Sequence, residues 1–188
     1  ARRDHHLSTG GAVMAAKSGT RRKVATPAWV VLKFGGTSVS SVERWETIAT
    51  LLRQRLAEGL RPVVVHSALA TVSNKLDELL HRALEMDVTA QVAGIRELHL
   101  RLAAGLQVDG EKELGGYFRE LEQLLAGIHL IREVSPRIQA RVMGLGELMA
   151  TRLGAAYLAR VGLKVTWLDA RELLRSNMPP GTNERSAW

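Results

Sequence analysis

Apolar residues recur along this chain in two different periods, and the switches between them mark its elements. Trp29-Val30-Val31-Leu32-Lys33-Phe34 is a continuous apolar run, broken by one lysine and ended by Gly35-Gly36, which is the pattern of a buried strand. Beyond that turn, Ser40 and Glu43 stand at capping-box spacing. Val42, Trp45, Ile48, Leu52 and Leu56 then recur at helical intervals up to Gly59, which predicts an amphipathic helix with a glycine stop. Pro62 precedes Val63-Val64-Val65-His66, a run too short for a helix and rich in β-branched residues, so a second buried strand is expected. Strand, helix, strand implies parallel pairing through a right-handed crossover.

The small-residue loop Ser67-Ala68-Leu69-Ala70-Thr71 leads into a helix marked by Val72, Leu76, Leu79, Leu80 and Leu84. Val92, Ile95, Leu98, Leu102 and Leu106 predict another. Leu114, Tyr117, Phe118, Leu121, Leu124 and Leu125 predict a third beyond the turn at Asp109-Gly110, so the block 71–130 reads as wholly helical. Ser135-Pro136 opens a further helix, with serine as cap and proline at the first helical position, running to Val161 before Gly162. Gly144 and Gly146 lie in its interior and each cost roughly 1 kcal/mol there, which predicts a break with Glu147 opening the second segment. Leu163-Lys164-Val165-Thr166-Trp167-Leu168 predicts a third strand, followed by Asp169-Ala170-Arg171 and a short helix. Pro179-Pro180-Gly181 reads as a closing loop.

Composition narrows the class. With 188 residues and 46% hydrophobic content, the chain supports one core and hence one domain. The lack of cysteine excludes disulfides, cysteine-ligated zinc and thiolate catalysis, and it fits a reducing compartment. No run approaches the roughly 18 apolar residues that cross a bilayer, and the N-terminus lacks the apolar core of a secretion signal. The expectation is a soluble, cytoplasmic protein with no membrane partner. Residues 1–27 hold Arg2, Arg3, Lys17, Arg21, Arg22 and Lys23 against Asp4 alone, which is +5 of the net charge of +7. That stretch is rich in Gly, Ser, Thr and Ala without an apolar period, so a basic, disordered tail is expected over 1–27, with the domain in 28–188. An arginine-containing leader poor in acids also fits an organelle transit segment, or sequence upstream of a start at Met14. The remainder is nearly balanced in charge, and no specific nucleic-acid partner is expected. The rival from that class is a non-catalytic basic module that binds nucleic acid through its tail.

A glycine pair at the end of a strand lets backbone N–H groups approach an anion, and the hydroxyls of Thr37 and Ser38 add donors. Lys33 lies in the strand just before, where its ammonium can emerge beside the same anion. From the residues alone two readings stand side by side: an anion site, and a tight turn with a snorkelling lysine. Other motifs drop out. There is no G-x-x-x-x-G-K-[ST], and Gly144-Leu145-Gly146 lacks the third glycine of a dinucleotide fingerprint because Met149 occupies its place. His66 and Ser67, being adjacent in a strand, point to opposite faces and make a poor base and nucleophile. His5, His6, His81, His99 and His129 lack metal-ligand spacing, so no metal site is assigned. Trp29, Trp45 and Trp167 read as core residues.

Lys33-Phe34-Gly35-Gly36-Thr37-Ser38-Val39 resembles the signature that opens the aspartate kinases of the amino-acid-kinase family. Ser67-Ala68 followed by Ser73-Asn74 is similar to that family's second strand-end loop, where threonine is commoner at the position of Ser73. Gly146-Glu147-Leu148-Met149 resembles its substrate-carboxyl loop, and Asp169-Ala170-Arg171 its following acidic-basic pair. The four segments fall in the expected order over 30–175. The resemblance implies an α/β fold, a three-layer open and mainly parallel sheet, of which this chain carries the N-terminal half of the catalytic domain. It implies ATP-dependent phosphorylation of the aspartate side-chain carboxylate, the first step of lysine, threonine and methionine biosynthesis, with Mg2+ shielding the nucleotide. Lys33 would be catalytic; Phe34, Gly35, Gly36, Thr37, Ser38 and Ser67 would join it around ATP. Ala68, Ser73, Glu147, Asp169 and Arg171 would bind aspartate, with Glu147 on its amino group. Homo-oligomerisation is expected of the full-length protein. The truncated chain is expected to show little or no activity and, with a sheet edge and apolar faces uncovered, to associate. Within the same fold class, glutamate, acetylglutamate and carbamate are the alternative acceptors.

Overall fold

Two parallel strands, β1 (Trp29–Phe34) and β2 (Arg61–His66), pair in register from Trp29 opposite Arg61 to Phe34 opposite His66. Helix α1 (Val42–Ala57) is the crossover between them, as the strand-helix-strand pattern requires. This computed structural model describes residues 27–174, so the expected tail, apart from Pro27, and the loop at Pro179-Pro180-Gly181 lie outside the described residues. The remaining elements are α2 (Val72–Ala83), α3 (Val92–Gly105), α4 (Gly110–Ile131), α5 (Pro136–Arg160) and α6 (Ala170–Leu173), with short 3-10 turns at Gly36–Val39 and Thr89–Gln91.

The strands are half-buried where their apolar runs predicted full burial. Leu32, Phe34, Val64 and His66 face the helical core, whereas Trp29, Val31, Lys33, Val63 and Val65 stand on the other face. Trp29 and Val31 are 67% and 65% exposed, so Trp29 is a surface residue stacked on the Arg61 guanidinium at 5.5 Å. A continuous apolar run carries no alternation to tell one face from the other, which is why the open face was invisible in it.

Three other expectations change. Helix α1 is capped by Ser41, whose hydroxyl accepts from the Arg44 N–H at 3.4 Å, and this leaves Ser40 free for another partner. Helix α5 runs unbroken through Gly144 and Gly146. A Cβ on Gly146 would stand 3.0–3.3 Å from Ala68, Leu76 and Val72, so its bareness serves close packing against α2 and the loop before it. Packing offsets the weak helical propensity, and Glu147 lies in mid-helix, far from any helix start. The segment 163–168 forms no ladder: β1 and β2, paired with each other, are the two strands of the described residues. It lies instead along α5, where the Trp167 indole N–H donates to Thr151 Oγ1 at 3.1 Å and the ring receives the Arg152 guanidinium at 5.5 Å.

Helices α2 to α5 pack around Leu76, Leu80, Phe118, Leu121, Leu125, Leu145 and Met149, all buried. Trp45 joins this helical layer to the sheet. Its Nε1–H donates to Val39 O at 2.9 Å, and its ring lies edge-on to His66 and Tyr157 at 5.4 and 6.0 Å. A Cβ at Gly154 would fall 2.2 Å from the indole, so α5 approaches there only because that residue is glycine. Gly154→Ala is therefore expected to cost about 3 kcal/mol by overpacking, read as a lower urea midpoint at unchanged slope.

His99 is fully buried: Nδ1–H donates to Ile95 O at 2.8 Å, and Nε2 has no partner. Burial holds it, like His66, below the ordinary 6.5. Below pH 6.5 the unfolded chain takes up protons that the folded chain refuses, so stability is complete above that value and falls as pH drops through it. Urea midpoints across about pH 8 to pH 5 should decline, and His99→Phe should flatten the decline.

Candidate active site

Ligands of open parallel sheets bind beyond the carboxyl ends of the strands. Here those ends carry the turn after β1 and the loop Ser67–Thr71 after β2, and the two are fastened together. Ser67 N–H donates to Phe34 O at 3.2 Å, extending the ladder by one bond. The Ser40 hydroxyl then bridges the loops, accepting from the Ala70 N–H at 2.8 Å and donating to Gly36 O at 2.6 Å. A Cβ on Gly36 would lie 2.6 Å from Ala68 O, so Gly36 owes its identity to loop-against-loop packing. Around Gly35, by contrast, no atom lies within 4 Å of where a Cβ would stand, and its φ of −77° suits any residue. Of the glycine pair, one is needed by the protein and the other leaves open space beside the backbone.

The Ser38 N–H closes the 3-10 turn onto Gly35 O at 2.9 Å. Thr37 is exposed and Ser38 half-buried. Lys33 stands on the open face of β1, on the side away from the core, two residues before Gly35. Phe34 is on the opposite, core-facing side and packs against it, so its part in the turn is structural.

Glu147 projects from α5 onto the second loop, where its Oε1 accepts from the Ala68 N–H in a long bond of 3.5 Å. Its backbone is fixed in mid-helix, and Thr151 Oγ1 donates to its carbonyl at 2.8 Å. Ser73 sits in the first turn of α2, half-buried, directly after the loop. Thr71, which precedes α2, has φ 70°. A β-branched residue in the left-handed region stores on the order of 1–2 kcal/mol, and such strain collects where a loop is held in a required shape.

Asp169 and Arg171 lie apart from this cluster. Asp169 caps α6, accepting from the Arg171 N–H at 2.9 Å, and the Arg171 guanidinium grips the same carboxylate at 2.7–3.1 Å. That side-chain pair holds Asp169 below the ordinary carboxylate range and raises Arg171. Among the described residues no hydrogen bond or ion pair joins either one to the two loops; their neighbours are Tyr117 and Glu120 of α4. So Gly35, Gly36, Thr37, Ser38, Ser67, Ala68, Ser73 and Glu147 gather at the carboxyl ends of the two strands, Lys33 stands on the outer face of β1 just before them, and the Asp169-Arg171 pair stands beside α4. Ser40 and His66 were not singled out as site residues in the sequence. The hydroxyl of Ser40 had a competing local reading as a helix cap, and only the meeting of two loops distant in sequence reveals its bridging role.

Bare backbone and hydroxyls thus lie on one loop, a lysine on the open strand face, and a carboxylate reaches the second loop from a helix behind. The amino acid kinase family profile matches residues 28–187, and the chain belongs to that family. It is similar to aspartokinase 2, chloroplastic, of Arabidopsis thaliana, at 40% identity over 151 residues, covering 76% of this chain and 27% of that protein. Aspartokinase 3, chloroplastic, of the same plant is 38% identical over 148 residues, covering 76% and 26%. In three dimensions the chain is similar to E. coli aspartokinase III in complex with aspartate and ADP, with a TM-score of 0.68 at 25% identity, covering 80% of this chain and 33% of that one. The fold is therefore the amino-acid-kinase α/β fold, and the chain spans about a quarter of the length of the curated relatives it matches.

Ser40→Ala removes both arms of the bridge and leaves the Ala70 N–H to find another partner. A loss of about 1–3 kcal/mol is expected in urea unfolding, with Ser40→Thr retaining most of the stability.

Proposed function

We propose that this chain supplies the phosphate-binding and amino-acid-binding edge of an aspartate kinase. An oxygen of the aspartate side-chain carboxylate attacks the terminal phosphorus of ATP, the bond from that phosphorus to ADP breaks, and an acyl phosphate forms. The observation that carries this reading is the fastening of the β1 turn to the Ser67–Thr71 loop, with Glu147 on the same loop, in a chain similar to proteins named aspartokinases. Phosphoryl transfer asks a protein mainly for positioning and charge neutralisation, and these residues are suited to both.

In the proposal, the backbone at Gly35 and the hydroxyls of Thr37 and Ser38 receive phosphate oxygens, with Phe34 setting the turn. Lys33 approaches from the open face and neutralises charge on the moving phosphoryl group. Ser67 holds nucleotide oxygens. Ala68 and Ser73 shape the amino-acid pocket, and Glu147 takes the substrate ammonium. Asp169 and Arg171, already satisfied by each other, stay beside Tyr117 and Glu120 of α4 and do not touch the substrate. The described residues hold no group of three or more His, Asp or Glu able to cage a metal ion. The nucleotide's magnesium would thus be carried by its phosphates, and no step of the proposal runs through it. Activity requires the remaining length that the relatives possess, in which case the chain alone gives little or no product.

None of the described helices is long and apolar enough to cross a membrane. A cytoplasmic location is part of the proposal; the chloroplastic names of the plant relatives favour an organelle stroma as the second reading. The open sheet face with Trp29 and Val31 is where self-association would begin.

A chimera tests the reading, with residues 28–174 replacing the matching segment of Arabidopsis thaliana aspartokinase 2 and acyl phosphate trapped by hydroxylamine. ATP- and aspartate-dependent hydroxamate is expected, and Lys33→Ala should lower kcat about 100- to 1000-fold. Preference for glutamate or acetylglutamate over aspartate would sink the substrate assignment.

A further inference from the structure

We propose that His66 is a positioning residue for Glu147, acting through the single peptide group between Ser67 and Ala68. This deepens, and rests on, the reading of Glu147 as the carboxylate that takes a substrate ammonium.

The two side chains grip opposite ends of one amide. His66 Nδ1 lies 3.0 Å from Ser67 O, and Glu147 Oε1 lies 3.5 Å from the Ala68 nitrogen. A carbonyl oxygen only accepts, so Nδ1 carries the proton and donates. The Ala68 N–H in turn donates to the carboxylate. The result is a chain from imidazole N–H to amide C=O, and from the same amide's N–H to Glu147, in which each bond polarises the next.

His66 is held so that this chain is its main outlet. The ring is 7% exposed and fixed edge-on by Trp45 of α1. From β1, Phe34 is its register partner, and Lys33 stands on the other face of the sheet. From α5, Glu147 is the charged group that acts on it. Burial keeps the imidazole neutral, and the bond to Ser67 and the charge of Glu147 work against that burial. In the neutral state the amide pulls weakly on Glu147 and the carboxylate is available to an ammonium. When His66 takes a proton, its N–H becomes a stronger donor, the amide is polarised further, and the new positive charge competes with the substrate ammonium for Glu147. Binding of that ammonium must, by reciprocity, make His66 harder to protonate.

The test is an NMR titration of the whole 188-residue chain between about pH 8 and pH 5, following the His66 imidazole and the Ala68 amide, with L-aspartate affinity measured by calorimetry over the same range. The Ala68 amide is expected to shift with the His66 midpoint, and Glu147→Gln to lower that midpoint. L-Aspartate should bind about threefold more weakly once His66 is protonated, equivalent to a half-unit change in its midpoint. His66→Asn keeps an N–H for Ser67 without titrating, so its aspartate affinity should lose that pH dependence. Should His66→Asn fail to fold, the Glu147→Gln titration still decides. An Ala68 amide indifferent to His66 titration, or a midpoint unmoved in Glu147→Gln, overturns the proposal. Coupling that persists while no aspartate binds at any pH supports the relay and sinks the substrate assignment instead.

Discussion

The seating of Trp45 against Gly154 is the contact on which the rest of the arrangement depends. One indole touches the end of the first turn through Val39 O, the end of β2 through His66, and α5 through Gly154 and Tyr157. A buried tryptophan combines large apolar area with one N–H that must be satisfied, so it fixes both distance and direction between the parts it joins. Gly154 and Glu147 are seven residues apart on one side of α5, a span of about 10 Å. Setting the helix against Trp45 therefore also sets where Glu147 meets the second loop.

Small residues do the corresponding work at the sheet's edge. Gly36 is bare because the backbone of 68–70 presses against it, and Gly146 because Ala68, Val72 and Leu76 do, so Ala68 meets both. Two loops far apart in sequence thus share backbone contacts, with the Ser40 hydroxyl supplying the polar link. The consequence is a rigid seat at the ends of β1 and β2, with Gly35 and the exposed turn beyond it facing open space.

Charge is organised locally. Arg96–Glu111, Arg141–Glu120 and Arg152–Glu113 tie neighbouring helices at 2.7–2.9 Å, but all have solvent-exposed members and contribute modestly, about 0–1 kcal/mol each. The helices are held by their shared apolar core. Asp169 and Arg171 neutralise each other, so the electrostatics at the sheet edge rest on Lys33, Glu147 and the state of His66.

Local chemistry determined much of this protein by itself. Periodicity located β1, β2 and the five long helices, because apolar spacing, the turn at Asp109-Gly110 and the Ser135-Pro136 cap act within a few residues. The Lys33–Val39 segment likewise marked the turn that anchors the family resemblance. Only the tertiary structure decided what depends on neighbours distant in the chain. It made α5 continuous through two glycines, since Gly146 packs closely against α2 and the loop before it, while Gly144 stands in open space. It left 163–168 without a strand, since a strand exists only beside another. It turned Trp29 outward and gave Ser40 a bridging role, and it placed His66 and Glu147 on one peptide group. Short-range preferences are written in adjacent residues, whereas close approach between remote segments is a property of the folded volume they share.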